Sequence, residues 1–166
     1  MKIELRPIKK TERKIVKNLF TYYLYDMSEY TGWNVGIDGK LDIDLSIIDS
    51  YWEEDGHYPY FVISNSEIAG FSLLRKYPED KTYYDIGQFF ILRKFKGKGI
   101  GCEAFRQSVS KFPGKWMTRV LPGNMGAKKF WLKVISDITQ GDFIITSELY
   151  NSHILMDFFK YQIINR

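Results

Sequence analysis

Apolar and polar residues alternate from the start of the chain, through Lys2-Ile3-Glu4-Leu5-Arg6, and a period of two predicts a strand over 2–8. The spacing then changes. Ile15, Val16, Leu19, Phe20 and Tyr23 recur three and four apart, which predicts a helix with Thr11 as its N-cap running to about Tyr25 or beyond. Gly32, Gly36 and Gly39 mark a loop, and a shorter helix is expected over about 44–53. Strands over 58–63 and 68–74 are joined at Asn65-Ser66 as a hairpin. A fourth strand, 83–92, ends in Phe89-Phe90-Ile91-Leu92, an apolar run that points to burial on both faces. A helix over about 99–112 is stopped by Pro113-Gly114. A strand over 115–121, a helix over about 125–135 capped by Asn124, and strands over 143–149 and 153–159 complete the chain. The order β-α-α-β-β-β-α-β-α-β-β describes one mixed α/β domain over 1–166, without repeat or linker.

Composition narrows the function classes. With 45% hydrophobic residues the chain can bury one sizeable core. No run approaches the ~18 apolar residues of a membrane helix. The alternating start reads as a strand and not as a signal peptide, so a cytoplasmic location without membrane contact is expected. Cys102 is the only cysteine, and neither His57 nor His153 has metal-ligand spacing, so no disulfide and no metal centre are expected. The net charge of +4 is uneven: residues 1–92 hold 11 basic against 15 acidic side chains, residues 93–166 hold 13 against 5. The sign changes where a glycine-rich run begins, which suits a polyanionic ligand in the second half of the chain.

That run, Lys96-Gly97-Lys98-Gly99-Ile100-Gly101, lies between the apolar fourth strand and a helix. Glycines let successive N–H groups turn toward one anion, and the helix adds its positive end. Arg93, Lys94, Lys96 and Lys98 add charge. A nucleotide phosphate loop of the G-x-x-x-x-G-K-[ST] type is excluded, because no Gly-Lys is followed by Ser or Thr. The dinucleotide fingerprint fits poorly, since Cys102 stands at its last glycine and the unit is mid-chain.

Lys96-Gly97-Lys98-Gly99-Ile100-Gly101 resembles the pyrophosphate motif of the GCN5-related N-acetyltransferases, Arg/Gln-x-x-Gly-x-Gly/Ala, with Lys96 in the Arg/Gln position. Asn124, Ala127, Phe130 and Trp131 match the family's next landmark, an Asn followed by Ala and an aromatic pair. The segments Phe89–Phe95 and Phe112-Pro113-Gly114-Lys115-Trp116 resemble one bacterial subgroup of predicted acetyltransferases. The resemblance implies a mostly antiparallel sheet splayed between strands four and five, flanked by helices, with acetyl-CoA as cofactor and a small-molecule or peptide amine as acceptor. Nucleic acid is not expected, and the oligomeric state stays open, a homodimer included.

It also implies roles. Phe89, Phe90 and Ile91 would pair with the pantetheine arm, and an N–H of Phe90 or Ile91 would polarise the thioester carbonyl. Gly97, Lys98, Gly99, Ile100, Gly101 and Cys102 would hold the pyrophosphate, with Lys96 beside them. Asn124, Ala127 and Trp131 would line the arm, and Lys128 would approach the phosphate end. Many members carry a Tyr as general acid where Trp131 stands, and related sequences often carry Glu where Gln88 stands. An indole N–H is no acid at neutral pH, and a neutral amide is no base. Gln88 and Asp85 on the fourth strand are candidate catalytic residues, and Asp85 is also a carboxylate that could hold a cationic amine. Tyr25, Asp26 and Glu29 form an acidic, tyrosine-rich face that suits a cationic acceptor. Two other readings stay open: a CoA-binding regulatory module without catalysis, and a basic nucleic-acid-binding domain.

Overall fold

The computed structural model describes residues 2–164. After β1 (Ile3–Pro7), residues Lys10–Glu12 form a 3-10 turn and α1 runs over Arg13–Thr31. Thr11 therefore lies inside the turn and does not cap the helix. The Glu12 carboxylate does the local work, accepting from the Lys9 N–H (3.0 Å) and the Arg6 guanidinium (3.0 Å). α1 stops at Gly32, whose φ of +66° forms a left-handed cap donating to the Ser28 carbonyl at 3.1 Å. A 3-10 turn at Leu45–Ile48 leads into the short α2 (Ser50–Glu53). Then come β2 (His57–Ser64), β3 (Glu67–Lys76), β4 (Tyr83–Ile91), α3 (Ile100–Ser110), β5 (Gly114–Val120), α4 (Met125–Thr139), β6 (Phe143–Tyr150) and β7 (Ile154–Ile163). Among the described residues no helix is long and apolar enough to cross a membrane.

The strands form one seven-stranded sheet in the order β1-β2-β3-β4-β5-β7-β6. Every neighbouring pair is antiparallel except β4 with β5. β7 enters between β5 and β6 and is bonded along both edges, which carries it past the expected end at 159. α4 likewise continues past 135, to a left-handed Gln140 that ends it.

The parallel pair holds only at Tyr83–Lys115, Tyr84–Trp116 and Asp85–Met117. Beyond Asp85 the two strands part. The cause lies on the other edge of β4: Leu74 pairs with Ile86 and Leu73 with Gln88, so Gly87 is one residue too many. Such a bulge bends its strand and raises its twist. A Cβ on Gly87 would stand 2.1 Å from the Tyr51 hydroxyl, so glycine leaves the room that the hydroxyl takes.

The two sheet faces bury separate cores. α3 and α4 cover Leu74, Ile86, Trp116 and Phe159, with Phe105, Val109 and Ile135 between them. α1 and α2 cover Phe61, Phe71, Leu73 and Phe90 with Val16, Phe20, Leu24 and Tyr51. Fully burying such a side chain contributes roughly 1.5–3 kcal/mol each, so the sheet is stiff on both sides of the splay.

Candidate functional site

The glycine run folds into a loop that carries α3. Gly97 and Gly99 take φ of +75° and +77°, a conformation that strains any residue with a Cβ. A Cβ on either would meet nothing within 4 Å, so the space over the loop is open. The Lys96 N–H bonds the Arg93 carbonyl (3.1 Å) and the Glu103 N–H bonds the Gly99 carbonyl (3.1 Å). Between them, no backbone N–H of residues 97–102 has an acceptor among the described residues. This run of free donors at the positive end of a helix fits a pyrophosphate. Gly101 has a second duty: a Cβ there would press on the Phe130 ring at 3.3 Å and stand 3.6 Å from Ile91, so glycine lets α3, α4 and the end of β4 meet. The Ile100 side chain is buried with Phe95 and Ala104, and Cys102 packs half-buried against the α3–α4 core.

The free edge of β4 can be read from one bond. The Leu92 N–H donates to the Ala69 carbonyl at 2.9 Å. In an antiparallel ladder hydrogen-bonded pairs alternate, so with Phe71 opposite Phe90 and Leu73 opposite Gln88, the backbone groups of Phe90 and Gln88 face β3. Those of Phe89 and Ile91 face the gap left by β5. This corrects the expectation for Phe90, whose N–H is spent on the sheet. Its ring packs edge-on against Tyr23 on the α1 side. The Phe89 ring stacks on Phe130 at 6.0 Å on the α4 side.

Asn124 caps α4, accepting the Ala127 N–H at 3.0 Å, while its amide nitrogen lies 4.0 Å from the Met27 sulfur of α1. Trp131 is 7% exposed and sits edge-on to Phe89, Phe105 and Phe130, a core position. Lys128, expected to approach the phosphate end, is engaged in an ion pair. Its ammonium bonds Asp157 of β7 at 2.6 Å, and Asp157 also accepts from Ser147 at 2.7 Å. These two bonds, Lys128 first, hold the Asp157 carboxyl below its ordinary value.

The acidic face of α1 is occupied differently from the expectation. Asp26 bonds Arg93 at 2.8 Å and Lys96 at 3.4 Å, so it faces the glycine loop and not a cationic acceptor. Tyr25 is 69% exposed and Glu29 is exposed. Asp85 is wholly buried and accepts from Arg75 (2.9 Å) and Arg119 (2.7 Å), which corrects the expectation of a carboxylate open to a cationic amine. Arg75 and Arg119 were missed in the sequence. A charged residue inside an otherwise apolar strand is the signal that marks them, since such side chains are buried only with a partner.

The acetyltransferase (GNAT) family model matches residues 21–135, which span both the splayed strands and the glycine loop. The chain belongs to this family. No curated protein sequence matches significantly. Among solved structures, the GNAT chain is similar to an acetyltransferase from Thermus thermophilus, at 14% identity over 98% of each chain and a TM-score of 0.66. It is similar to a GNAT family acetyltransferase from Elizabethkingia anophelis with acetyl-CoA bound, at 16% identity over 97% of this chain and 98% of that one, TM-score 0.60. It is also similar to a Bacillus subtilis acetyltransferase in complex with CoA, at 14% identity over 98% and 99%, TM-score 0.60. At these identities the likeness is one of fold. In this GNAT chain the free donors of the loop, the unpaired edge of β4 and the cap of α4 surround the gap between β4 and β5.

Proposed function

We propose that this chain transfers an acetyl group from acetyl-CoA to a primary amine of a small molecule or peptide. The observation that carries the reading is the run of unpartnered N–H groups over 97–102 beside the unpaired edge of β4. The bound acetyl-CoA of the Elizabethkingia neighbour and the CoA of the Bacillus subtilis one agree with it.

In this reading the N–H groups of residues 97–102 hold the pyrophosphate, and Lys96 and Lys98 supply charge. The edge groups of Phe89 and Ile91 pair with the pantetheine arm as an added strand would. Either N–H then faces the thioester carbonyl and donates to its oxygen as negative charge develops there. The amine nitrogen forms the new C–N bond as the C–S bond breaks, the sulfur leaves as CoA, and the surplus amine proton passes to water. Trp131 and Gln88 supply no acid or base, so the rate rests on positioning and on the carbonyl donors.

Calorimetry with acetyl-CoA followed by an amine panel, read as CoA thiol release, tests the proposal. Tight binding and turnover of at least one amine are expected. Binding without turnover at any pH would replace it with the regulatory module. Salt-dependent DNA binding without CoA affinity would replace it with the nucleic-acid reading.

A further inference from the structure

The apex of the gap, where β4 and β5 part, holds two arginines and one carboxylate. Arg75 Nε and Arg119 Nη2 both donate to the same oxygen, Asp85 Oδ2, at 2.9 and 2.7 Å. Asp85 is wholly buried, and the Arg119 side chain is 7% exposed. One carboxylate thus faces two guanidiniums, leaving one positive charge uncompensated where burial makes charge costly. Among the described residues Arg119 Nε is buried without a partner, as is Asp85 Oδ1. Tyr150, at the end of β6, covers the pair: its ring lies 4.3 Å from the Arg119 guanidinium and its hydroxyl 3.5 Å from Arg75 Nη2. Burial by itself raises the Tyr150 phenol, yet the Arg119 charge, followed by the Arg75 hydrogen bond, brings it below its ordinary value. An excess of positive charge is felt there.

The side of the sheet is equally telling. Tyr84 stacks on Phe112 and Trp116 on the α3–α4 face, so Asp85, the next residue, points to the α1–α2 face. The two guanidiniums therefore stand on the α1–α2 side of the sheet, where Arg75, at 17%, is the more exposed. The carboxylate expected to receive a cationic acceptor, Asp26, is engaged by Arg93 and Lys96.

We propose that Arg75, Arg119 and Tyr150 form an anion site at this apex which takes the carboxylate of the acceptor, so that the substrate class is an amine bearing a carboxylate close by, as in an amino acid. The inference rests on the acetyl-transfer reading for the word acceptor. The anion site itself stands on the charge count and on the unpartnered guanidinium nitrogen. A single uncompensated charge matches a monoanion, and the planar fork of a guanidinium matches a carboxylate. Asp85 is a positioning residue that holds the two side chains at the apex.

The test uses the full chain labelled with 15N. Arginine Nε–Hε signals are followed while the protein, with and without saturating CoA, is titrated with a panel of amino acids and with the matching amines that lack the carboxylate. Saturable shifts of two arginine signals by amino acids, absent with the amines and abolished in Arg75→Gln, are expected. In turnover, Arg75→Gln should raise KM for carboxylate-bearing acceptors by roughly tenfold or more, the loss of one charge-assisted hydrogen bond, with KM for acetyl-CoA unaltered. Arg75→Lys should recover part of it. Arg75 is the variant of choice because it is less deeply buried than Arg119, and a melting curve checks that it folds. Failure of CoA to bind would overturn the acetyl-transfer reading, while the arginine shifts still decide the anion site. Arginine signals that ignore every carboxylate, or amines acetylated with lower KM than their parent amino acids, would overturn the anion site.

Discussion

Asp26 of α1 lies 2.8 Å from Arg93, three residues before the lysine that opens the glycine run, and so ties the first helix to the loop proposed to bind pyrophosphate. It also holds Lys96 at 3.4 Å. A phosphate must compete with this carboxylate for both cations. The pairs are partly exposed, and such pairs are worth about 0.2–1 kcal/mol. Asp26→Asn should therefore strengthen acetyl-CoA binding by about two- to fivefold, more at low ionic strength, and leave the acceptor KM unaltered. Calorimetry at two salt concentrations checks this. A rise in acceptor KM alone would return Asp26 to the acceptor side.

Gly99 has open space where its side chain would be, and a φ of +77°. Gly99→Ala should cost about 1–2 kcal/mol of stability from backbone strain. Gly99→Glu should add to that strain a negative charge inside the phosphate cradle and abolish acetyl-CoA binding, while the fold survives in circular dichroism. Undiminished CoA affinity in Gly99→Glu would remove the loop from the site.

The Tyr51 hydroxyl fills the space beside the bulge at Gly87. A Cβ there would stand 2.1 Å from the Tyr51 hydroxyl, itself a donor to the Leu73 carbonyl at 3.3 Å. Gly87→Ala should cost about 1–3 kcal/mol, as overpacking does. In a Tyr51→Phe background the offending oxygen is gone, so the same change should cost at least ~1 kcal/mol less. Denaturant melts of the four proteins in this cycle measure the coupling. Additive costs would mean that the hydroxyl is not what resists a side chain at Gly87.

Two pH profiles follow from the apex cluster. An ordinary phenol ionises near pH 10. Burial pushes the Tyr77 phenol up to about 12, whereas Tyr150 lies below its ordinary value because the arginine charges outweigh its burial. The folded chain gives up the Tyr150 proton more easily than the unfolded chain. That ionisation therefore favours folding above the unfolded value, and the benefit is lost as pH falls through the folded one. An ultraviolet titration should show one phenol ionising ahead of an ordinary tyrosine, absent in Tyr150→Phe. Separately, with Asp85 committed to two guanidiniums, kcat/KM for a basic amine should climb about tenfold per pH unit from about pH 6 to pH 9, as the neutral amine accumulates. A plateau above about pH 7 that vanishes in Asp85→Asn would make Asp85 the base after all.

What the sequence alone determined is what short-range chemistry settles. The apolar end of β4, the glycine loop and the start of α3 are adjacent in the chain, and glycine conformation with helix polarity dictates their form whatever surrounds them. The Asn124 cap needs only the Ala127 N–H three residues on. The alternating and helical periods placed the strands and the long helices to within a few residues, because hydrophobic burial imposes a period on them, whereas the helix expected over 44–53 is a 3-10 turn and one helical turn. The tertiary structure decided everything that depends on which distant charge meets which. Asp26 meets Arg93 across 67 residues, Lys128 meets Asp157 across 29, and Asp85 meets Arg119 across 34. Each of these side chains has the same intrinsic chemistry in any context, and burial and partner assign its duty. The same holds for Phe90. Its N–H is lost to the cleft because a single extra residue at Gly87 sets which backbone groups β3 claims and which the gap leaves free.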